Sequence, residues 1–420
     1  MLARKDVING FFVALGYGIA IMALQFFLYY MGVVPNVPDS VTLLRWDAGI
    51  YEAIARLGYT LKPGDNTSMY VLLPLVWHLL HVGVMGISLV NLIFFSAGFS
   101  IVAAICKADA AEKILWLSVP SMYFMWVPYT EALFSLLTAL SFYAIINNKR
   151  WLIWLSLFLV ALTRATAVFL IPALLIMELI TGNPQSINKI LRTYFVDYFL
   201  PIITGLATFV LIQYVQTGIW FPYYIQQSTS QGHVFSFPVL PFADYYGGQM
   251  AVWLNAVVVL VCIVALVGIC IVCYKRLVKQ KVYKDKILIL TLAYLPAVLF
   301  AIVFYNPTWG ANTTNLHGLH RYTLCTPFIF IFLHHYTAGE KRYTLQHVLL
   351  MLLLSNLVWL SMGSYLHIRT MLYYNFTTLL VVGYMMYANK RLPASYVIIA
   401  FNVFMQVMLY QRYLANGFTD

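Results

Sequence analysis

Two acids, two arginines and a histidine stand out in this 420-residue chain, where only 9% of residues are Asp, Glu, Lys or Arg. They are Asp47, Glu131, Arg164, Arg321 and His320. Side chains of these types suit the transfer of a group from a phosphate to a hydroxyl. A carboxylate within hydrogen-bond reach takes the proton of the attacking hydroxyl. A guanidinium keeps its charge near hydrocarbon, and its planar fork matches phosphate oxygens, so it stabilises a departing phosphate. A leaving group with a single phosphate offers little chelation, so neither a metal nor another cofactor is expected.

Each residue sits in a short polar stretch between apolar runs. Asp47 lies in "RWDAGIYEAIARLGY" (Arg45 to Tyr59), Glu131 in "WVPYTEALF", Arg164 in "ALTRATAVFL", and His320 and Arg321 in "TNLHGLHRYTLCTPF". Tyr51 shares a helical face with Asp47 at i, i+4, and Arg45 is placed to partner Asp47 or Glu52. Arg45, Tyr51 and Glu52 are therefore expected to support the site. Plainer readings stand beside these. Asp47 could cap a helix, Glu131 could answer a helix dipole, the arginines could be interface anchors, and His320 could be a hydrogen-bonded structural histidine.

The elements that carry these residues follow from composition. At 62% hydrophobic residues and a mean hydropathy of +0.82, the chain reads as an all-α polytopic membrane protein. Apolar segments fall near 10–31, 84–105, 114–127, 130–147, 151–163, 165–180, 194–215, 249–273, 287–305, 323–338, 344–361, 370–388 and 393–411, about thirteen spans. Several are shorter than the roughly 20 residues a straight crossing needs, which predicts tilted or paired short helices meeting at a wedge. The first run lacks a small-residue cleavage pattern and is expected to stay in the membrane. Cys106, Cys262, Cys270, Cys273 and Cys325 show no paired or zinc-like spacing and are expected to be packing residues.

Net charge of +11 could suggest nucleic acid as a partner, but its distribution argues for topology. With the N-terminus inside, 18 of the 25 Lys and Arg fall in cytoplasmic loops, as the positive-inside rule requires. "CYKRLVKQKVYKDK" (Cys273 to Lys286) could bind anionic lipid headgroups, but reads first as a cytoplasmic anchor with no specific function assigned. The same parity puts Arg45, Asp47, Glu52, Arg56, Glu131, Arg164, Asp244, His317, His320 and Arg321 outside. Outward loop 32–83 begins with Pro35 and Pro38 and is expected to carry interfacial helices, one with a stripe of Ile50, Ala53, Ile54 and Leu57. Sequons at Asn66 and Asn312 read as chance matches.

These motifs, in their order, resemble the C-type glycosyltransferase superfamily, and within it the PIG-V-like family, whose eukaryotic members add a mannose to glycosylphosphatidylinositol anchors. "RWDAGIYEAIARLGY", "YVLLPLVWHLL", "NLIFFSAGFSIVAAI", "PSMYFMWVPYTEALFSLL", "RWLIWLSLFLVALTRATAVFLIPALL" and "HRYTLCTPFIFIFL" carry the likeness. It implies a conserved transmembrane module over 1–200 with loop 32–83, then a variable module over 201–420 with outward loops 216–248 and 306–322. It also implies a catalytic acid at Asp47. Glu131 is expected to join it, with Arg164, His320 and Arg321 on the donor phosphate. The expected partners are a polyprenyl-phosphate hexose, with mannose favoured, a glycan, lipid or protein acceptor, and membrane lipids, but no nucleic acid. The expected location is a bacterial inner membrane with the site facing the periplasm, or the endoplasmic reticulum lumen in a eukaryote. A transporter or flippase, or a polymerase of lipid-linked sugars, is the alternative.

Overall fold

The computed structural model describes residues 3–60, 66–182, 186–229, 232–243, 248–307, 313–337, 343–362 and 392–417, with scattered helical residues between 372 and 383. Most of the span expected at 370–388, and Asp244 and Asn312, lie outside the described residues. The chain forms α1 (Arg4–Tyr30), α2 (Asp47–Leu57), α3 (Leu72–Leu80), α4 (Val84–Cys106), α5 (Ala110–Leu117) and α6 (Glu131–Ile146). There follow α7 (Arg150–Ala161), α8 (Leu170–Thr181), α9 (Ile187–Thr193), α10 (Leu200–Thr217), α11 (Pro222–Thr229) and α12 (Gly248–Leu277). The rest comprises α13 (Lys286–Phe304), α14 (Leu319–Leu324), α15 (Pro327–Thr337), α16 (Leu345–Ser361) and α17 (Leu392–Leu414).

Six stretches are long and apolar enough to cross a membrane: Arg4–Tyr30, Val84–Cys106, Ile187–Thr217, Val252–Leu277, Lys286–Phe304 and Tyr396–Leu414. Bare aliphatic and aromatic side chains on their outer faces, such as Phe12, Ile19 and Phe27 of α1, are what contact with lipid requires. This is an integral membrane protein. Among the described residues six of the thirteen expected spans reach full length: α6, α7, α8 and α16 are apolar but shorter, and the expected span 323–338 is divided between α14 and α15, which begins at Pro327. The architecture is also not purely helical. A two-stranded ribbon pairs β1 (His233–Phe235) antiparallel with β2 (Tyr305–Pro307), His233 opposite Pro307 and Phe235 opposite Tyr305.

Small residues let the helices close up, as in other membrane bundles. A Cβ on Gly98 of α4 would stand 2.9 Å from the Leu136 backbone of α6, and one on Gly205 of α10 would stand 2.5 Å from the Phe158 carbonyl of α7.

The expected span 114–127 is buried and interrupted, an eight-residue helix followed by a short turn. Pro120 ends the α-helical hydrogen bonding, and the chain continues as a 3-10 turn, Pro120–Met125. Backbone carbonyls freed in hydrocarbon must find donors within the protein. Neighbouring helices supply them. Asn91 Nδ2 of α4 donates to the carbonyls of Val127 at 2.6 Å and Tyr129 at 2.9 Å, and Ser88 donates to that of Trp126. From α17, Gln406 Nε2 donates to Leu117 at 3.2 Å and Val119 at 3.1 Å. Cys325 Sγ lies 3.1 Å from the Ser121 carbonyl. The segment leading into Glu131 is thus held from three sides.

The loops assigned to one side by parity do meet. Lys113 Nζ donates to Asn9 at 2.8 Å, Lys286 Nζ to Glu178 at 2.7 Å, Arg150 Nε to Asp197 at 3.0 Å, and Arg276 donates to the Gly182 carbonyl. These contacts define a basic end. Asp47, Glu131, Arg164 and Arg321 gather at the other.

Candidate functional site

The approach to Asp47 is built by prolines and one aspartate. Asp39 Oδ1 accepts from the N–H groups of Val41 at 2.8 Å and Thr42 at 2.7 Å. The Thr42 N–H bond leads the effects that hold this carboxyl below the usual carboxylate range. The turn delivers Leu43, whose carbonyl accepts from Tyr413 Oη at 2.8 Å. Trp46 then adopts φ of +50°, a conformation that costs about 1–3 kcal/mol and persists only where its surroundings impose it. Trp46, not Asp47, occupies the N-cap position, and no side chain caps the helix. The capping explanation of Asp47 is therefore wrong: its carboxylate points elsewhere.

It points at Arg321. Arg321 Nη2 donates to Asp47 Oδ2 at 2.7 Å, and its Nε donates to Glu131 Oε1. Arg164 Nη2 lies 3.3 Å from the same Glu131 oxygen. Side-chain exposure is 24% for Asp47 but 0% for Glu131, 4% for Arg321 and 6% for Arg164. Two acids and two arginines make a neutral cluster with one member open to the outside.

Aromatic rings seal it. The Arg321 guanidinium carbon lies 4.4 Å from the Tyr129 ring centroid and 5.4 Å from that of Phe124, and the Arg164 carbon lies 4.9 Å from the Tyr322 centroid. Cation–π attraction and exclusion of water both strengthen charge interactions there. Yet Glu131 Oε2 and Arg164 Nη1, both buried, make no hydrogen bond among the described residues. Such atoms carry a desolvation cost that an arriving polar group would relieve.

The placing of the cluster follows from the short helices. Glu131 starts a 16-residue helix, α6, and Arg164 follows the 12-residue α7, about 24 and 18 Å long at 1.5 Å per residue. Both helices join the basic end to the cluster, and both are shorter than a hydrocarbon layer of about 30 Å. The cluster stands at the ends of these short helices away from the basic end.

The other expected site residues divide. Tyr51 belongs: its hydroxyl hydrogen-bonds Thr130, and burial, followed by the charges of Asp47 and Glu131, pushes its pKa well up, so it stays protonated. Arg45 is adjacent but pairs with neither Asp47 nor Glu52; its carbonyl accepts from Tyr129 Oη at 3.4 Å and its charge acts on Asp39. Glu52 turns away, 3.1 Å from the exposed Arg56. His320 is fully buried, shares a 2.9 Å hydrogen bond with Ser121, and donates its backbone N–H to Asn255 Oδ1 at 2.8 Å. It braces the cluster from behind.

The helical stripe also differs from expectation. Ala48, Tyr51, Ile54 and Ala55 are the buried face of α2, while Leu57 is exposed. The sequon at Asn66 is closed: Asn66 is buried and its Nδ2 donates to the Gly58 carbonyl at 3.0 Å. Burial and the neighbouring His317 lower the pKa of His233 to about 4, so it is neutral at pH 7. Among the described residues no group of His, Cys, Asp and Glu is arranged to hold a metal ion.

Sequence reasoning passed over Tyr129, Tyr322, Ser121 and Asn255. A signal existed for three of them. Tyr129 and Tyr322 flank Glu131 and Arg321 within their motifs, and Asn255 is a lone amide in the apolar run "WLNAVVVLVC", where a polar group demands a partner.

No protein-family model, curated protein or solved structure matches the chain. The class is defined by fold and site together: an α-helical integral membrane protein with a sealed acid–arginine cluster that opens through Asp47.

Proposed function

We propose that this protein is a membrane glycosyltransferase that moves a hexose, with mannose favoured, from a polyprenyl phosphate to an acceptor hydroxyl, with inversion. One observation carries the reading. Four ionisable side chains from four separated segments converge, and Asp47 alone is substantially exposed.

The proposed sequence begins with the donor phosphate approaching Arg164, whose Nη1 lacks a partner among the described residues, and competing for Arg321. Arg321 then exchanges its Asp47 contact for the phosphate, while Glu131 keeps its guanidinium aimed. Released, Asp47 accepts the proton of the acceptor hydroxyl as its oxygen attacks the anomeric carbon. The bond from that carbon to the phosphate oxygen breaks, and the polyprenyl phosphate leaves against the two arginines. The resemblance adds the expectation of a non-cytoplasmic site, on the periplasmic face of a bacterial inner membrane or the lumenal face in a eukaryote.

Turnover of a short-chain polyprenyl-phosphate mannose by purified protein, compared with Asp47→Asn, tests the reading. Equal rates in the two would remove Asp47 from the chemistry. A second reading, transport of a lipid-linked sugar, draws on the interrupted segment at Pro120–Met125, since broken helices mark transporter binding sites. Passage of the intact substrate across a vesicle membrane, without release of polyprenyl phosphate, would favour it.

A further inference from the structure

The lysine-rich stretch left without a function lies beside a cavity. Residues 275–286 hold six lysines and arginines against one aspartate. Lys279, Lys281 and Lys284 are exposed, and so are Leu277, Val278 and Val282 between them. Bare aliphatic side chains interleaved with lysines suit a boundary that is apolar below and anionic above.

The cavity, of about 470 Å³, opens where α4 and α6 end, α13 begins and α15 approaches its last turn. Lys284, Lys286, Asp285, Asn148, His334 and His335 form its polar part, while isoleucines such as Ile105, Ile146, Ile287 and Ile331 line most of the rest. The acids nearby are engaged. Asp285 Oδ1 accepts from the Leu288 N–H at 3.0 Å, Glu178 holds Lys286 at 2.7 Å, and Glu112 Oε1 lies 3.4 Å from His334 Nδ1. Lys284 forms no ion pair among the described residues, and with Lys286 it outnumbers Asp285 in the lining. Ile146 is itself half exposed, so the isoleucine surface continues outward to where lipid chains run. A soluble polyanion would satisfy the lysines and leave the isoleucines bare; an amphiphile satisfies both.

We infer that this cavity binds an anionic phospholipid, its phosphate against Lys284 and the adjoining lysines and its chains along the isoleucines. The site is at the opposite end from Asp47 and does not depend on the glycosyltransferase reading.

The test is thermal unfolding of the full-length protein in non-ionic detergent with added phosphatidylglycerol, phosphatidylcholine or inorganic phosphate. Phosphatidylglycerol should raise the unfolding temperature and the other two should not. Lys284→Gln should weaken its apparent affinity about fivefold, and the triple variant Lys279→Gln, Lys281→Gln, Lys284→Gln on the order of a hundredfold. These lysines are exposed, so the variants should fold; Lys189→Gln, an exposed lysine outside the cavity, should bind as the parent does. An equal shift with phosphatidylcholine would overturn the charge selection. An equal shift with inorganic phosphate would overturn the lipid, and an unaltered response of the triple variant would overturn the site.

Discussion

The two ends of the bundle use the same residue types to opposite effect. At the basic end each acid–base pair keeps a partner in contact with the outside: Arg150 is 70% exposed beside Asp197, and Lys286 30% beside Glu178. At the Asp47 end, Glu131 and both arginines are sealed behind tyrosine and phenylalanine rings, and Glu131 Oε2 and Arg164 Nη1 have no hydrogen-bond partner among the described residues. Exposed pairs contribute at most about 1 kcal/mol. A sealed cluster cannot lose one member without stranding a buried charge, which costs about 3–5 kcal/mol. The first arrangement suits an anchor and the second a place where charge is to be handled.

Substitutions sharpen that contrast. The largest effect is expected from Asp47→Asn, a drop of roughly 10²- to 10⁴-fold in the proposed mannose transfer, with a smaller loss of stability than Glu131→Gln because buried Arg321 keeps Glu131 as a partner. A large loss of stability in that variant would mean that Asp47 is structural after all. Glu131→Gln should cost about 3–5 kcal/mol of stability, because two buried arginines lose their shared carboxylate; denaturant unfolding in detergent measures it. Gln406→Ala strips the donor from two carbonyls of the interrupted segment and should cost about 1–3 kcal/mol, visible as earlier thermal unfolding. Arg150→Gln at the basic end should cost less than Glu131→Gln, about 1–3 kcal/mol, because it leaves the buried Asp197 carboxylate without its partner at an open edge, and a loss as large as that of Glu131→Gln would erase the distinction between the ends.

The smallest effect concerns pH. Asp39 has a folded pKa below its unfolded value, so its contribution is complete above the unfolded carboxylate pKa, about 3.9, and fades as pH falls through the folded one. Asp39→Asn should flatten that part of the stability profile, and a parallel profile in the two proteins would remove Asp39 from it.

Much of this was readable in the chain. The apolar runs at 10–31 and 84–105 became α1 and α4 within a few residues at most boundaries, because a long run in lipid has no alternative to a helix. The grouping of Asp47, Glu131, Arg164 and Arg321 followed from loop parity, since charges that alternate along the chain fall at one end. Partners were less legible. The i, i+4 spacing of Glu52 and Arg56 already offered a pairing that leaves Arg45 out, but nothing local could show that Arg321 bridges two acids 190 and 274 residues away. Nor could hydropathy distinguish a helix from the 3-10 turn at Pro120–Met125. Both are equally apolar, and the difference lies in amides contributed by α4 and α17.

Those amides impose an order of assembly. Until residues near 406 have entered the membrane, the carbonyls of Leu117 and Val119 have no Gln406 to receive, and Leu43, four residues before Asp47, has no Tyr413 to hold it. A nascent chain that has emerged only as far as α16 already contains every member of the acid–arginine cluster, yet the struts beneath Glu131 and Asp47 are still in the ribosome. The braced form of the cluster would then be completed at one moment late in synthesis, when α17 joins the bundle.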